Sequence, residues 1–190
     1  MSELYPWPGD YKIGDRESSV AVVTLAENYD FDADEVAIWG PMRTENLGIE
    51  KVVANTISNP NIRFLIICGE EIKGHRSGHT LLSLIKNGIE ENGKIKGSEG
   101  AVPYIENISE EAVERFRAQI KGIDLVDITS KEKIEAEIDK CLKKDVESFG
   151  EPYTAVQIED KETYSFEAEF ALHSSIKVSP WGKIEPMEAK

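Results

Sequence analysis

Apolar residues along the chain fall into short continuous runs, and between the runs they recur at helical spacing. Val20-Ala21-Val22-Val23-Thr24-Leu25 is continuous and β-branched, which predicts a central strand. Val36-Ala37-Ile38-Trp39, closed by Gly40-Pro41, predicts a short second strand. Phe64-Leu65-Ile66-Ile67-Cys68 is wholly apolar and too short for a helix, so it reads as a strand buried on both faces. Ile123 to Ile128 reads as another. In between, Leu47, Ile49, Val52, Val53 and Ile57 share one face of a helix from Thr44 to Ser58, with Thr44 as a candidate cap and Asn59-Pro60 as its end. Leu81, Leu82, Leu84 and Ile85 predict a helix that stops at Gly88. Ser109 caps a helix carrying Ala112, Val113, Phe116 and Ile120, and Thr129 or Ser130 caps one carrying Ile134, Ile138, Cys141 and Leu142. Lys143 and Lys144 complement the dipole of that last helix.

Strands alternating with helices imply an α/β fold, a Rossmann-like, mostly parallel sheet with helices on both faces. The opening through Asp15, rich in Pro, Gly and aromatics, reads as an ordered irregular arm. Beyond residue 150 the pattern changes. Tyr164, Phe166, Ala168, Phe170 and Leu172 alternate with Ser165, Glu167, Glu169 and Ala171, a period-two strand with one face buried. Thr154 to Ile158 and Ile176 to Val178 are candidates to pair with it. Residues 1–150 are therefore expected to form the α/β domain and 151–190 a β-rich extension.

Composition narrows the function. A net charge of −14 over 190 residues disfavours binding to nucleic acid or to an anionic membrane surface, both of which draw on clustered Lys and Arg. No secretory signal opens the chain, and no apolar run approaches the roughly 18 to 20 residues of a bilayer span. A cytoplasmic location is the expectation. Cys68 and Cys141 both sit in apolar patterns and read as packing residues.

The chemistry concentrates after the third strand, in Cys68-Gly69-Glu70-Glu71-Ile72-Lys73-Gly74-His75-Arg76-Ser77-Gly78-His79-Thr80. A strand that ends in a Gly- and His-bearing loop before a helix is where an open α/β sheet binds its ligand. His75 is the privileged residue, since Gly74 and Gly78 bracket it and lack a Cβ that would hold a planar ligand off the backbone. A neutral imidazole ligates first-row transition metals, cobalt among them. His75 and His79, four apart, could instead share a helix turn and chelate zinc, although they supply only two ligands. GxxxxGK[ST], GxGxxG, HExxH and GxSxG are all absent, and a buried Cys68 is a poor nucleophile. Ile95 to Tyr104 is short of side chains and marks a second loop beside the first.

Long strings resemble the A-subunit of tetrahydromethanopterin S-methyltransferase. They include Trp7-Pro8, Gly9-Asp10-Tyr11, Gly40-Pro41, Thr44-Glu45-Asn46-Leu47-Gly48-Ile49-Glu50-Lys51-Val52-Val53-Ala54-Asn55, Cys68-Gly69, Gly74-His75, Gly100-Ala101-Val102-Pro103-Tyr104-Ile105-Glu106-Asn107 and Glu111-Ala112-Val113-Glu114-Arg115-Phe116-Arg117. The resemblance covers most of residues 7 to 147. It implies a cobamide (5-hydroxybenzimidazolyl cobamide in the family) whose cobalt takes His75 as its lower axial ligand. It further implies a carrier that moves a methyl group from methyl-tetrahydromethanopterin to coenzyme M together with methyltransferase partner proteins. On the same footing Thr24, Pro41, Thr44, Glu45, Asn46, Gly69, Gly74, Ser77, Gly78, Gly100, Ala101 and Pro103 are candidates to contact the corrinoid. The B12 signature Asp-x-His-x-x-Gly is incomplete, because Lys73 stands where its Asp belongs, and the group that orients His75 must come from elsewhere. His79 falls where a Gln-like residue is expected. Family members held at the membrane end in a transmembrane helix and nothing after Gly150 patterns as one, so a homologue without an anchor, or a shortened chain, is expected. A corrinoid-binding sensor or storage protein without turnover is the other function this implies.

Overall fold

Four strands, β2 (Val20–Val23), β3 (Ile38–Gly40), β4 (Phe64–Gly69) and β5 (Lys121–Val126), align in parallel and form the main part of one sheet. β2 and β4 are buried along their whole length, β3 is buried except at its last residue, and β5 is half-exposed at the sheet edge. β1 (Lys12–Ile13) adds an antiparallel edge to β3, and the spatial order is β1-β3-β2-β4-β5. The computed structural model describes residues 4–71, 74–155, 176–178 and 184–186.

Alternate residues of the central strands feed two cores. Ala21, Val23, Leu65 and Ile67 face one helix layer. It is built from α1 (Leu47–Ser58), α2 (Ser77–Asn87) and α3 (Glu110–Gln119), which contribute Ile49, Val53 and Ile57, Leu81 and Leu84, and Ala112, Val113 and Phe116. Val20, Val22, Phe64, Ile66 and Cys68 face the other way, onto Ile134, Ile138 and Cys141 of α4 (Lys131–Leu142). Phe31 and Val36, from the connection between β2 and β3, complete that second core. Two-sided burial is why these central strands read as unbroken apolar runs instead of alternating ones. The caps are those the sequence shows: Ser109 Oγ accepts from Ala112 N at 3.2 Å, and Ser130 Oγ from Lys133 N at 3.4 Å.

The chain divides into two units, Met1–Gln157 and Ile158–Lys190. Among the described residues the second contributes β6 (Ile176–Val178) and β7 (Ile184–Pro186), paired antiparallel. Ile176–Val178 is thus a strand, but its partner is Ile184–Pro186; the alternating stretch Tyr164 to Leu172 lies outside the described residues.

Several boundaries move. β2 ends at Val23 because Leu25 turns into the left-handed region at φ 48°. α1 begins at Leu47, although Thr44 Oγ1 still accepts from Gly48 N at 2.8 Å. The opening arm is ordered, with Tyr5 N donating to Ser58 Oγ at 2.9 Å and Asn55 exchanging two hydrogen bonds with the backbone of Trp7. It also contains β1, whose two exposed residues carry no periodicity to read.

β2 pairs with β3 on one side and with β4 on the other, and α1 carries the chain across between them. A sheet that reverses its winding in this way opens a crevice at the carboxyl ends of the diverging strands.

Candidate functional site

Three backbone departures mark that crevice. Leu25 follows β2 at φ 48°, Arg76 precedes α2 at φ 50° and Asp127 follows β5 at φ 63°. Non-glycine residues in the left-handed region cost energy, and they collect where function requires a particular turn.

The loop after β4 brings His75 to the rim. Its ring is half exposed, and its Nδ1 lies 3.4 Å from Oε1 of Glu45. Glu45 sits two residues before α1 and is only 2% exposed. Its Oε1 also accepts from Val102 N at 2.8 Å, while Oε2 is buried with no hydrogen-bond partner. The carboxylate has room because residue 100 is glycine: a Cβ there would run into Glu45 Oε2 and Thr80 Oγ1. Three distant segments, 44–46, 74–77 and 98–103, therefore converge on one buried negative charge beneath one imidazole.

The start of α2 needs no outside anion. Glu71 reaches over it, Oε1 accepting from His79 N at 2.7 Å and Oε2 from Gly78 N at 3.3 Å. The position a phosphate would take at this helix dipole is filled by the protein's own carboxylate. Arg76 forms an ion pair with Glu99, tying the His75 loop to the 98–103 loop.

The corrinoid-contact candidates sort by this geometry. Gly74, Thr44 and Ala101 are exposed at the rim beside His75. Asn46 and Gly100 are half-buried there, and Pro41 is half-buried where the chain leaves β3, lining a cavity that does not include His75. Thr24 is buried, its hydroxyl donating to Glu27 O at 2.6 Å, and Gly69 and Pro103 are buried below the rim. Ser77 is buried too, and its Oγ has no partner. Gly78 differs from its sequence reading, in which it admits a ligand. A Cβ there would meet Leu25 Cδ1 at 2.8 Å and Val126 Cγ2 at 3.0 Å, so it is the close seating of α2 on the sheet that demands glycine.

The two-histidine reading fails on geometry. His75 precedes α2 and Arg76 is left-handed, so His75 and His79 do not share a helix turn. Among the described residues no group of three or more His, Cys, Asp or Glu could hold a metal ion. Cys68 is fully buried, and burial pushes its thiol pKa up to about 12, which removes the thiolate a nucleophile requires.

Sequence reasoning missed two neighbours. Leu47 and Val102 are large apolar side chains left 43% and 48% exposed close to Glu45, Leu47 two residues after it and Val102 joined to it through the hydrogen bond from its N–H. By its spacing Leu47 reads as a core position of α1, and only the helix's true start shows that it faces outward. Beneath the rim, between α1 and the strands β2 and β3, lies a cavity of about 300 Å³ whose lining includes Ala21, Val23, Ile38, Val52 and Leu65.

With this geometry in hand, the chain can be set beside known proteins. The family profile for the A-subunit of tetrahydromethanopterin S-methyltransferase matches residues 2–166. The tetrahydromethanopterin S-methyltransferase A-subunit 2 of Methanobrevibacter ruminantium is 49% identical over 175 residues, 89% of this chain and 90% of that protein. The A-subunit 2 of Methanothermobacter thermautotrophicus is 51% identical over 145 residues, covering 73% and 79%. The A-subunit 1 of the same organism is 46% identical over 160 residues, covering 81% and 67%.

Proposed function

The chain belongs to the family of tetrahydromethanopterin S-methyltransferase A-subunits, and from that premise we propose that it is a cobamide-binding methyl carrier with His75 as the lower ligand of cobalt. The observation that carries the reading is the pairing of a half-exposed imidazole with a buried carboxylate. Metal-bound histidines donate their second ring N–H to such an acceptor, which fixes the tautomer and makes the ligating nitrogen more basic. Glu45 Oε1 stands at Nδ1, so Nε2 is the nitrogen left for the metal. Glu45 thus fills the role that Lys73 cannot, from a position 28 residues earlier in the sequence.

The residues present fit a flat, largely apolar macrocycle. Leu47 and Val102 offer exposed apolar surface close to Glu45, and the exposed Gly74 and Ala101 add no bulky side chain. A cobamide held there supplies a metal that can accept a methyl group and hand it to a thiolate. The protein's part is to present Nε2, to hold the Nδ1 proton against Glu45 and to cover one face of the ring system. As one component of a methyltransferase it would work with partner proteins that bring the donor and the acceptor. Among the described residues no helix is long and apolar enough to cross a membrane.

The test is Co(II) EPR of ¹⁵N-labelled protein mixed with cobalamin. A nitrogen splitting that changes with the isotope, and is lost in His75→Ala, is the expected result. A spectrum identical to free cobalamin would refute the proposal.

A further inference from the structure

We infer that Glu71 is a positioning residue, one that holds the His75 loop in its metal-binding shape before a corrinoid arrives; this rests on the corrinoid reading above. α2 starts without a cap of its own. Arg76, at the cap position, has only N–H donors in its side chain, makes no side-chain bond to the helix and pairs instead with Glu99. The first N–H groups of α2 therefore need an acceptor from elsewhere. Glu71 provides it, Oε1 accepting from His79 N at 2.7 Å and Oε2 from Gly78 N at 3.3 Å. Glu71 stands four residues before His75, and its two partners stand three and four residues after it. One carboxylate thus joins the two ends of the segment that carries the proposed ligand. A cap at residue 76 would satisfy the helix without making that link.

The near end of the segment is fixed to the sheet. Gly69, the last residue of β4, donates to Ile128 O at 3.0 Å and accepts from Asp127 N at 2.8 Å. Asp127, in the left-handed region at φ 63°, presents Oδ1 to Glu71 N at 3.2 Å. From beyond β2, Ala26 N donates to Glu70 O at 3.4 Å. A path of hydrogen bonds therefore runs from the ends of β2 and β5 through Glu71 to the first turn of α2, and His75 lies within the loop it closes. With the path intact the imidazole is ordered before ligation. Without it, the loop must be ordered as the metal binds, and affinity falls accordingly.

Glu71→Gln keeps the length of the side chain but leaves one acceptor oxygen for two N–H groups. The full-length parent and variant are titrated with Co(II) cobalamin, followed by protein fluorescence and EPR, at a temperature where thermal melts show both to be folded. Affinity should fall about tenfold, the scale of one lost helix cap. Hydrogen exchange of the ligand-free variant should be faster at the amides of Gly78 and His79. At saturating cobalamin the His75 nitrogen splitting should return with the parent's magnitude, because the ligating atom is unchanged. Glu71→Ala, with no acceptor, should weaken binding further in the same direction. Parent-like affinity in Glu71→Gln, whether or not those amides exchange faster, would overturn this inference and, with the splitting present, leave the corrinoid reading standing. A splitting still absent from the variant at saturation would overturn it too, since Glu71 would then act at the metal itself. A parent protein without the splitting would remove both readings together.

Discussion

Glu45 carries an unusual load for one side chain. A buried carboxylate with one oxygen bare is costly, and proteins retain such groups where function needs the charge. Glu45→Gln keeps the shape and an acceptor oxygen but removes the charge. The expected outcome is a split: the ligand-free protein melts at the same temperature or higher, while corrinoid affinity falls about 10- to 100-fold. Melting curves with and without cobalamin measure both. A variant that loses stability and affinity in step would instead show that the carboxylate is structural. Cys68 gives a second prediction. Its folded pKa, near 12, lies above the ordinary thiol value, so the folded state keeps a proton that the unfolded state gives up. The contribution is intact below about pH 8.5, and stability then falls by roughly 1.4 kcal/mol per pH unit until the folded thiol itself titrates. Cys68→Ala should flatten that alkaline slope in denaturant titrations at pH 8 and pH 10. At this scale His75 was legible from its setting between a buried strand and a helix. Glu45 was legible only through the family resemblance, and its link to His75 was not, because nothing local joins residues 30 apart that meet through a sheet crossover.

Elements show the same division between local and long-range information. The helices and parallel strands could be read because propensity and period agree at each of them, and at α3 and α4 the serine caps agree as well. Ser130→Ala at the start of α4 should cost about 1 kcal/mol, the usual value of such a cap, in urea unfolding. β1 could not be read, since a two-residue edge strand is defined by its neighbour and not by its own pattern. Nor could the strap formed by residues 147–153. Phe149 lies between the guanidinium groups of Arg63 at 5.1 Å and Arg115 at 4.7 Å, and its N–H donates to Pro60 O at 2.9 Å. Arg115 Nη2 donates to the carbonyls of Phe149 and Glu151, and Tyr153 N to Ile57 O. Both arginines come from the sheet-and-helix body, so the strap depends on contacts across some 34 to 96 residues. Phe149→Ala should lower stability by about 1 to 2 kcal/mol through the two cation–π contacts and lost apolar burial. Leucine at 149 should restore only the apolar part.

At the scale of the molecule, the strap decides where the chain can be cut. Every candidate site residue, both cores and the strap lie within Met1–Gln157. A chain ending at Gln157 should therefore fold, melt within about 2 °C of the full-length protein and bind corrinoid as tightly. Ending at Lys144 removes Phe149 and Tyr153 while leaving Arg63 and Arg115 without their partners. The loss of two cation–π contacts and the strap's backbone bonds is worth about 2 to 3 kcal/mol, or roughly 4 to 12 °C for a domain of this length. Differential scanning calorimetry of the two shortened chains, with and without cobalamin, separates the cases. If the Gln157 chain alone lost corrinoid binding while keeping its melting temperature, residues 158–190 would have a part in the site that the first unit does not supply.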